Sequence, residues 1–157
     1  GRGYWQTSSL SDDVVSEVEQ VMGACLAMRK NLGERFDERF FLYCEDTELC
    51  LRLKQHGKIV YVPKAEFVHE LGSSSVASRW KAVARYNLGK ELYFRIHHGA
   101  FASFLCCILD RMGAILRLVA GLLMSPFSKS GRTKVGIFWR VLWATRAAVI
   151  PPAHRPR

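Results

Sequence analysis

The stretch FDERFFLYCEDTELCLRLKQHG, Phe36 to Gly57, carries the strongest structural and chemical signals in the chain. It begins with an Asp-rich turn and passes through an aromatic, strand-prone run from Phe40 to Tyr43. After Glu45 and Asp46, the leucine spacing predicts a short helix that ends at Gly57. The start of a helix can hold a carboxylate rigidly, so that either of these adjacent carboxylates could serve as a proton acceptor. Acidic residues also cap free N–H groups there, so both roles are open on this stretch alone.

The length and the cysteines limit the class of protein. A chain of 157 residues has room for one domain, or for a small domain with an appendage. Five cysteines are present, an odd number without C-x-x-C spacing, and most of them lie in apolar runs. This pattern predicts reduced, buried thiols in a cytosolic compartment, and it argues against a disulfide framework or a zinc site.

The net charge of +9 is distributed unevenly. Residues 1–100 contain 14 Lys/Arg and 13 Asp/Glu, whereas residues 101–157 contain 9 Lys/Arg and only Asp110. The basic part is also the most apolar part, and Trp139 and Trp143 lie within it. This combination favours an anionic membrane surface over nucleic acid as the partner.

The first hundred residues alternate short apolar runs with turns. We expect a strand or short turn in VVSEVEQV and a buried apolar run in VMGACLAMRK (Val21 to Lys30). Further along, we expect a strand in KIVYVP (Lys58 to Pro63). A second strand, at Ala65 to Ser75, is expected to enter a Gly/Ser loop. Residues 78–98 have the spacing of an amphipathic helix with a basic face, ending near Gly99.

The apolar segment Phe101 to Met124 contains Asp110, Arg111 and Arg117. Central charges cost about 2.5 to 3.5 kcal/mol each on insertion, more than the apolar residues offset, so a solitary span is disfavoured. A helix that lies in the membrane interface, or spans only when paired, fits better. Residues 135–150 repeat the pattern after a Ser/Gly/Lys linker at 125–134, and 151–157 are expected to be disordered.

Three segments in order resemble the C-terminal half of the catalytic domain of glycosyltransferase family 2, especially its bacterial rhamnosyltransferase-like members. They are VMGACLAMRK, FDERFFLYCEDTELCLRLKQHG and VPKAEFVHELGSSS. The later RYNLGKELYFRIHHG matches the family more loosely. The resemblance covers about residues 18–100, and the middle block with the spaced histidine is its specific part.

The resemblance implies roles for individual residues. Asp46 falls where the family places the base that deprotonates the acceptor hydroxyl, and Glu45 would orient the acceptor or support that base. His69 falls where related enzymes supply a ligand to a divalent metal, Mg or Mn, near the diphosphate, although a lone histidine is more often a core residue bonded to backbone. The other implied residues form the acceptor-side wall (Gly23, Ala24 and Cys25) and a loop that closes over the substrates (Gly72, Ser73 and Ser74).

The implied fold is α/β. Residues 1–100 would form the C-terminal, acceptor-side half of a GT-A domain with a Rossmann-like mixed sheet, and residues 101–150 a membrane-associated helical tail. The implied activity is inverting transfer of a sugar, with rhamnose as the family-level expectation. The donor would be a nucleotide-sugar and the acceptor a lipid-linked or polysaccharide glycan of the cell envelope, at the cytoplasmic face of the membrane.

Three hypotheses stay open on the sequence alone. No Asp-x-Asp occurs in the chain, so it is expected to be a fragment that lacks a complete donor site and is inactive on its own. A non-catalytic membrane-peripheral module, in which Glu45 and Asp46 only cap a helix, is the second hypothesis. A basic nucleic-acid binder is the third.

Overall fold

The computed structural model describes residues 13–68 and 78–151, which are mostly helical with one small sheet. In chain order the elements are β1 (Ser16–Glu17), a 3-10 helix (Lys30–Leu32), α1 (Glu45–Leu53), β2 (Val60–Tyr61), α2 (Arg79–Met124), α3 (Lys129–Leu142) and α4 (Arg146–Val149). They divide into two compact units. The first unit comprises Gly1–Asp37 and Asp46–Leu71, and the second comprises Glu38–Glu45 and Gly72–Arg157.

The first unit is built around α1 and a two-stranded sheet. β1 and β2 pair antiparallel, with Ser16 opposite Tyr61. Leu49 and Cys50 of α1 are fully buried. The predicted helix is confirmed: it ends at Leu53, and a turn continues from there to Gly57.

Several strand predictions are not met within the described residues. The sheet there has two short antiparallel strands rather than the mixed sheet of a Rossmann-like domain. The run from Phe40 to Tyr43 is bent, because Tyr43 and Cys44 both have positive φ angles, 72° and 67°, which an extended strand cannot contain. The segment from Val21 to Arg29 lacks regular structure and is largely exposed, so the prediction of a buried run was wrong. Residues 65–68 are not a strand either.

The second unit is organised by a reversal of α2 at Gly99. Gly99 has φ 86° and ψ 176°, a conformation open to glycine but not to residues with a side chain. Residues 79–98 (the first arm) and 100–124 (the second arm) therefore fold back on each other. Lys90 of the first arm forms a salt bridge with Asp110 of the second, and Ser103 Oγ donates to the carbonyl oxygen of Glu91 at 2.9 Å.

α3 and α4 complete the second unit. α3 begins at Lys129, within the predicted linker, and packs back onto α2, where Gly121 and Gly131 allow the two backbones to approach closely. The core of the unit joins the first arm to α4. Its buried members are Ala84, Val149 and Ile150, packed against Phe41, Trp80, Leu88 and Ala144.

The second arm of α2 is apolar on its outer side. Its inner side carries the small residues Ala114 and Gly121, both buried. Eleven large apolar side chains are between 36% and 73% exposed, and helical spacing puts them on one face: Phe101, Phe104, Leu105, Ile108, Leu109, Met112, Ile115, Leu116, Val119, Leu122 and Leu123. We call these eleven residues the apolar face. Among the described residues, none of the helices has the length and hydropathy needed to cross a bilayer.

Candidate active site

Asp46 lies in the first turn of α1, and backbone donors hold both of its carboxylate oxygens. Oδ2 accepts a hydrogen bond from the Gly23 N–H at 3.1 Å, and Oδ1 accepts one from the Thr47 N–H at 2.8 Å. Asp46 is the second residue of α1, whereas an N-cap residue precedes the helix. Its side chain accepts a hydrogen bond from the N–H of the very next residue, whereas an N-cap side chain accepts one from the second or third N–H of the helix. A carboxylate has about four acceptor positions, so two of them stay open for a proton.

The structure brings part of the predicted acceptor wall to this carboxylate. Residues 22–25 form a turn in which the Cys25 N–H donates to the Met22 carbonyl oxygen at 3.3 Å, so that Gly23 and Ala24 are the central residues. The N–H of Gly23 binds Asp46 directly. Gly23, Ala24 and Cys25 are all exposed, as a surface that receives a substrate requires.

Glu45 follows a strained turn. Tyr43 and Cys44 are consecutive non-glycine residues in the left-handed region, each at a cost of about 1–3 kcal/mol, and such strain is common at functional sites. Within the second unit, the turn packs on α2: a Cβ built at Gly89 would lie 2.6 Å from the Tyr43 carbonyl oxygen. The rings of Tyr43 and Tyr86 also meet edge to face, with centroids 6.0 Å apart. One carboxylate oxygen of Glu45 is fully buried, so only part of this carboxylate is open to a substrate.

Sequence reasoning missed a polar network that fastens α1 in the first unit. Glu48 is a buried carboxylate, and the Arg52 guanidinium donates to its two oxygens at 2.8 Å and 2.9 Å. Arg52 also donates to the Arg35 carbonyl oxygen at 2.6 Å and pairs with Glu34, which contacts His56. The signal was present in the sequence, since Glu48 and Arg52 have the i, i+4 spacing of a helical ion pair.

A cavity of about 540 Å³ lies in the first unit beside α1. Mostly apolar side chains line it, including Leu26, Met28, Leu53, Val62 and Phe67, together with Cys25 from the turn. Asp46 is not among its lining residues. Cys50 also borders the cavity, and burial raises the pKa of its thiol, which keeps the thiol protonated and unreactive.

The cysteines are reduced, as the sequence predicts, but most of them are not fully buried. All five are free thiols: Cys25, Cys44, Cys50, Cys106 and Cys107. Only Cys50 is fully buried, and Cys25 is exposed, so the expectation that most of them are buried was wrong.

The remaining predicted residues are His69, Gly72, Ser73 and Ser74, and they lie outside the described residues. Within 13–68 and 78–151, no three or more His, Cys, Asp or Glu side chains are grouped as a metal ion requires. The divalent metal therefore stays a prediction from the sequence.

Comparison with known proteins identifies rhamnosyltransferases as relatives. The chain is 31% identical over 83 residues to the N-acetylglucosaminyl-diphospho-decaprenol L-rhamnosyltransferase of Mycobacterium tuberculosis, over 50% of this chain and 27% of that enzyme. It is 38% identical over 65 residues to the rhamnosyltransferase WbbL of Escherichia coli K12, over 36% of this chain and 25% of that protein. The chain has glycosyltransferase relatives.

These matches cover only a part of each relative. The chain spans about a quarter of the length of the curated relatives it matches. No protein-family model matches it, and no solved structure matches it. The relationship to glycosyltransferases thus rests on sequence similarity over part of each protein.

Proposed function

We propose that this chain carries the acceptor side of an inverting glycosyltransferase of the GT-A type, with Asp46 as the general base. The observation that carries the proposal is the Gly23–Asp46 hydrogen bond. It joins two segments that are 23 residues apart and that the family resemblance assigned to one site. The rhamnosyltransferase relatives support the same reaction class.

The chemistry follows from the position of the carboxylate. An open acceptor position on Asp46 takes the proton of the acceptor hydroxyl as its oxygen attacks the anomeric carbon of the donor. The bond from that carbon to the nucleoside diphosphate breaks on the opposite face, so the anomeric configuration inverts. The two backbone N–H groups fix the direction of the carboxylate, which is the preorganisation that such a base needs. A divalent ion, if bound elsewhere, would neutralise the departing diphosphate.

We propose rhamnose as the sugar and a diphosphate-linked lipid as the acceptor. The name of the M. tuberculosis relative describes that enzyme as an L-rhamnosyltransferase acting on N-acetylglucosaminyl-diphospho-decaprenol. A lipid-linked acceptor would require the protein to work at a membrane.

The apolar face of α2 supports work at a membrane surface. Eleven exposed large apolar residues form a continuous stripe, whereas soluble monomers rarely expose large apolar patches. The exposed side of α3 adds Trp139, Trp143, Lys129, Arg132 and Arg140, residue types that favour an anionic interface. We therefore propose that the second arm lies along the cytoplasmic face of the cell membrane. The same surface would serve a membrane-peripheral module without catalysis, which is the second candidate function.

Substitution of Asp46 by Asn in the complete protein that contains this chain distinguishes the two candidates. Asn keeps the shape of the side chain and an oxygen acceptor but cannot take a proton. General base catalysis contributes about 10²- to 10⁴-fold, so kcat should fall by that order. A thermal melt of the same variant controls for folding, and Glu45→Gln is the matched comparison. A well-folded Asp46→Asn variant with normal turnover would exclude Asp46 as the base.

A further inference from the structure

The cavity beside α1 in the first unit plays no part in the proton transfer proposed above. Its volume of about 540 Å³ lies in the range of small-molecule sites, roughly 300–1,000 Å³. Its lining includes Cys50, which is buried in α1, and residues at the surface of the unit. It is therefore an open apolar groove rather than a closed void. Four of its large apolar side chains are between 41% and 55% exposed: Met28, Val60, Val62 and Phe67.

The charged residues of this cavity are all basic. Among the described residues that line it there is no Asp or Glu, and the basic ones are Arg29, His56 and Lys58. Lys58 pairs with Glu17 at 2.8 Å, and His56 contacts Glu34 at 3.1 Å. The apolar lining, more than these charges, therefore determines which ligand fits. The basic residues are compatible with an anionic group attached to that ligand.

The turn at residues 22–25 connects the cavity to the candidate base. Cys25 lines the cavity, and Gly23, two residues before it, donates its N–H to Asp46. Two residues of chain span at most about 7 Å, so the cavity begins close to the carboxylate. Asp46 itself does not line the cavity. A ligand that places a hydroxyl at Asp46 can therefore extend its other end into the cavity.

We propose that this cavity binds the apolar chain of a lipid-linked acceptor. The assignment rests on the proposed function, in which the acceptor is a sugar joined to a lipid through a diphosphate. Such a molecule carries its reactive hydroxyl and its apolar chain at opposite ends, just as the carboxylate and the cavity are separate here. Contact of an isoprenoid chain with Met28, Val62 and Phe67 removes apolar surface from water, which favours binding.

Titration calorimetry of the 157-residue chain with farnesyl diphosphate, below its micelle concentration, tests the site. We expect saturable binding, and inorganic pyrophosphate, which lacks the chain, should bind roughly 10-fold more weakly or not at all. Phe67→Ser and Met28→Gln should each raise the Kd for farnesyl diphosphate roughly 10-fold, because each removes apolar contact. The matched control is Phe36→Ser, at an exposed phenylalanine of the same unit that does not line the cavity. Thermal melts check that each variant is folded.

Alkylation of Cys25 gives a second measure of where the ligand lies. Cys25 is exposed and lines the cavity, so bound ligand should shield its thiol. At a farnesyl diphosphate concentration of ten times the Kd, its reaction with N-ethylmaleimide should slow roughly 10-fold, in proportion to the free protein that remains. The rates at Cys106 and Cys107, in the second arm of α2, should not change. Peptide mass spectrometry resolves the individual cysteines.

Several results would overturn the site: no binding of farnesyl diphosphate, equally tight binding of pyrophosphate, or equal weakening by Phe36→Ser. Loss of binding in Leu116→Glu but not in Phe67→Ser would place the chain on the apolar face instead. Tighter binding of dodecyl phosphate than of farnesyl phosphate would assign the cavity to an acyl chain and refute the acceptor. Normal turnover of Asp46→Asn, with protection of Cys25 retained, would refute the proposed base while leaving the lipid site standing.

Discussion

The backbone N–H of Gly23 lies 3.1 Å from Oδ2 of Asp46 and donates a hydrogen bond to it. This bond joins the turn at residues 22–25 to the first turn of α1. A hydrogen bond to a charged acceptor contributes about 1.5–3 kcal/mol, so the contact both stabilises the first unit and sets the direction of the carboxylate.

Replacement of Gly23 by proline should remove this donor while keeping the turn. Gly23 is the first central residue of the turn, where proline is favoured. We expect the free energy of unfolding to fall by about 1–2 kcal/mol, because the lost hydrogen bond outweighs the gain from a stiffer unfolded chain. Turnover of the complete protein should fall about 10-fold or more, because the base is less well oriented.

The control for this variant is Gly23→Ala. Alanine retains the N–H, and its Cβ would lie 3.4 Å from the Cβ of Asp46, an ordinary contact. Chemical denaturation and steady-state kinetics on both variants are the measurements. Equal loss in the alanine and proline variants would mean that the space at Gly23, rather than its N–H, matters.

Gly89→Ala should disturb the strained turn before α1. The new methyl group would lie 2.6 Å from the Tyr43 carbonyl oxygen, which is too close for any real contact. We expect a loss of about 1–3 kcal/mol in stability, typical of overpacking. Gly136→Ala in α3 is the matched control, since nothing lies near its Cβ and alanine favours a helix. Thermal melts that rank the two variants in the opposite order would contradict this account.

The sequence predicted the parts that depend on local pattern. Leucine spacing and Gly57 marked α1, and the family resemblance grouped Gly23 with Asp46, which a hydrogen bond joins in the structure. The left-handed pair Tyr43 and Cys44 could not be predicted, because residues with side chains adopt that conformation only where tertiary packing, here against Gly89, requires it.

The run around Phe40 and the second arm of α2 also depend on tertiary packing, which local sequence does not predict. Aromatic residues around Phe40 favour a strand, but a strand forms only where it has a partner and an extended backbone. In the second arm, helical spacing places Asp110, Ala114, Arg117 and Gly121 on one stripe. Ala114 and Gly121 on this stripe are buried, whereas the apolar face on the opposite side is exposed. This difference arises because α3 packs against α2, which the spacing alone does not predict.

Glu91→Gln should stabilise the chain at high pH and not at low pH. Burial and the charge of Asp110 raise the pKa of Glu91 in the folded state, although hydrogen bonding with Cys107 and the charges of Arg111 and Lys90 oppose this. Below the pKa of an unfolded glutamate both states hold the proton, so folding has no penalty. As pH rises through the higher folded value, the buried group must ionise and stability is lost.

Urea denaturation at about pH 4, near the ordinary pKa of a glutamate, and at about pH 8, well above it, measures this effect. The wild-type chain should lose stability relative to Glu91→Gln as the pH increases. Glu66→Gln, at an exposed glutamate, should follow the wild type. A constant difference between the Glu91 variant and the wild type at both pH values would show that the titration of Glu91 does not affect stability.

Leu116→Glu should weaken binding to anionic vesicles. Leu116 is 69% exposed and central in the apolar face, so a membrane that covers this face must also accept the new carboxylate. We expect partition onto vesicles that contain phosphatidylglycerol to fall roughly 10-fold, from the lost apolar contact and the cost of a charge at the interface. Vesicle sedimentation measures the partition, and Gln55→Glu, at an exposed turn of the first unit, adds the same charge without removing an apolar side chain. If the wild-type chain instead stays off the vesicles and sediments as a dimer that Leu116→Glu converts to a monomer, a second copy covers the apolar face and the membrane proposal fails.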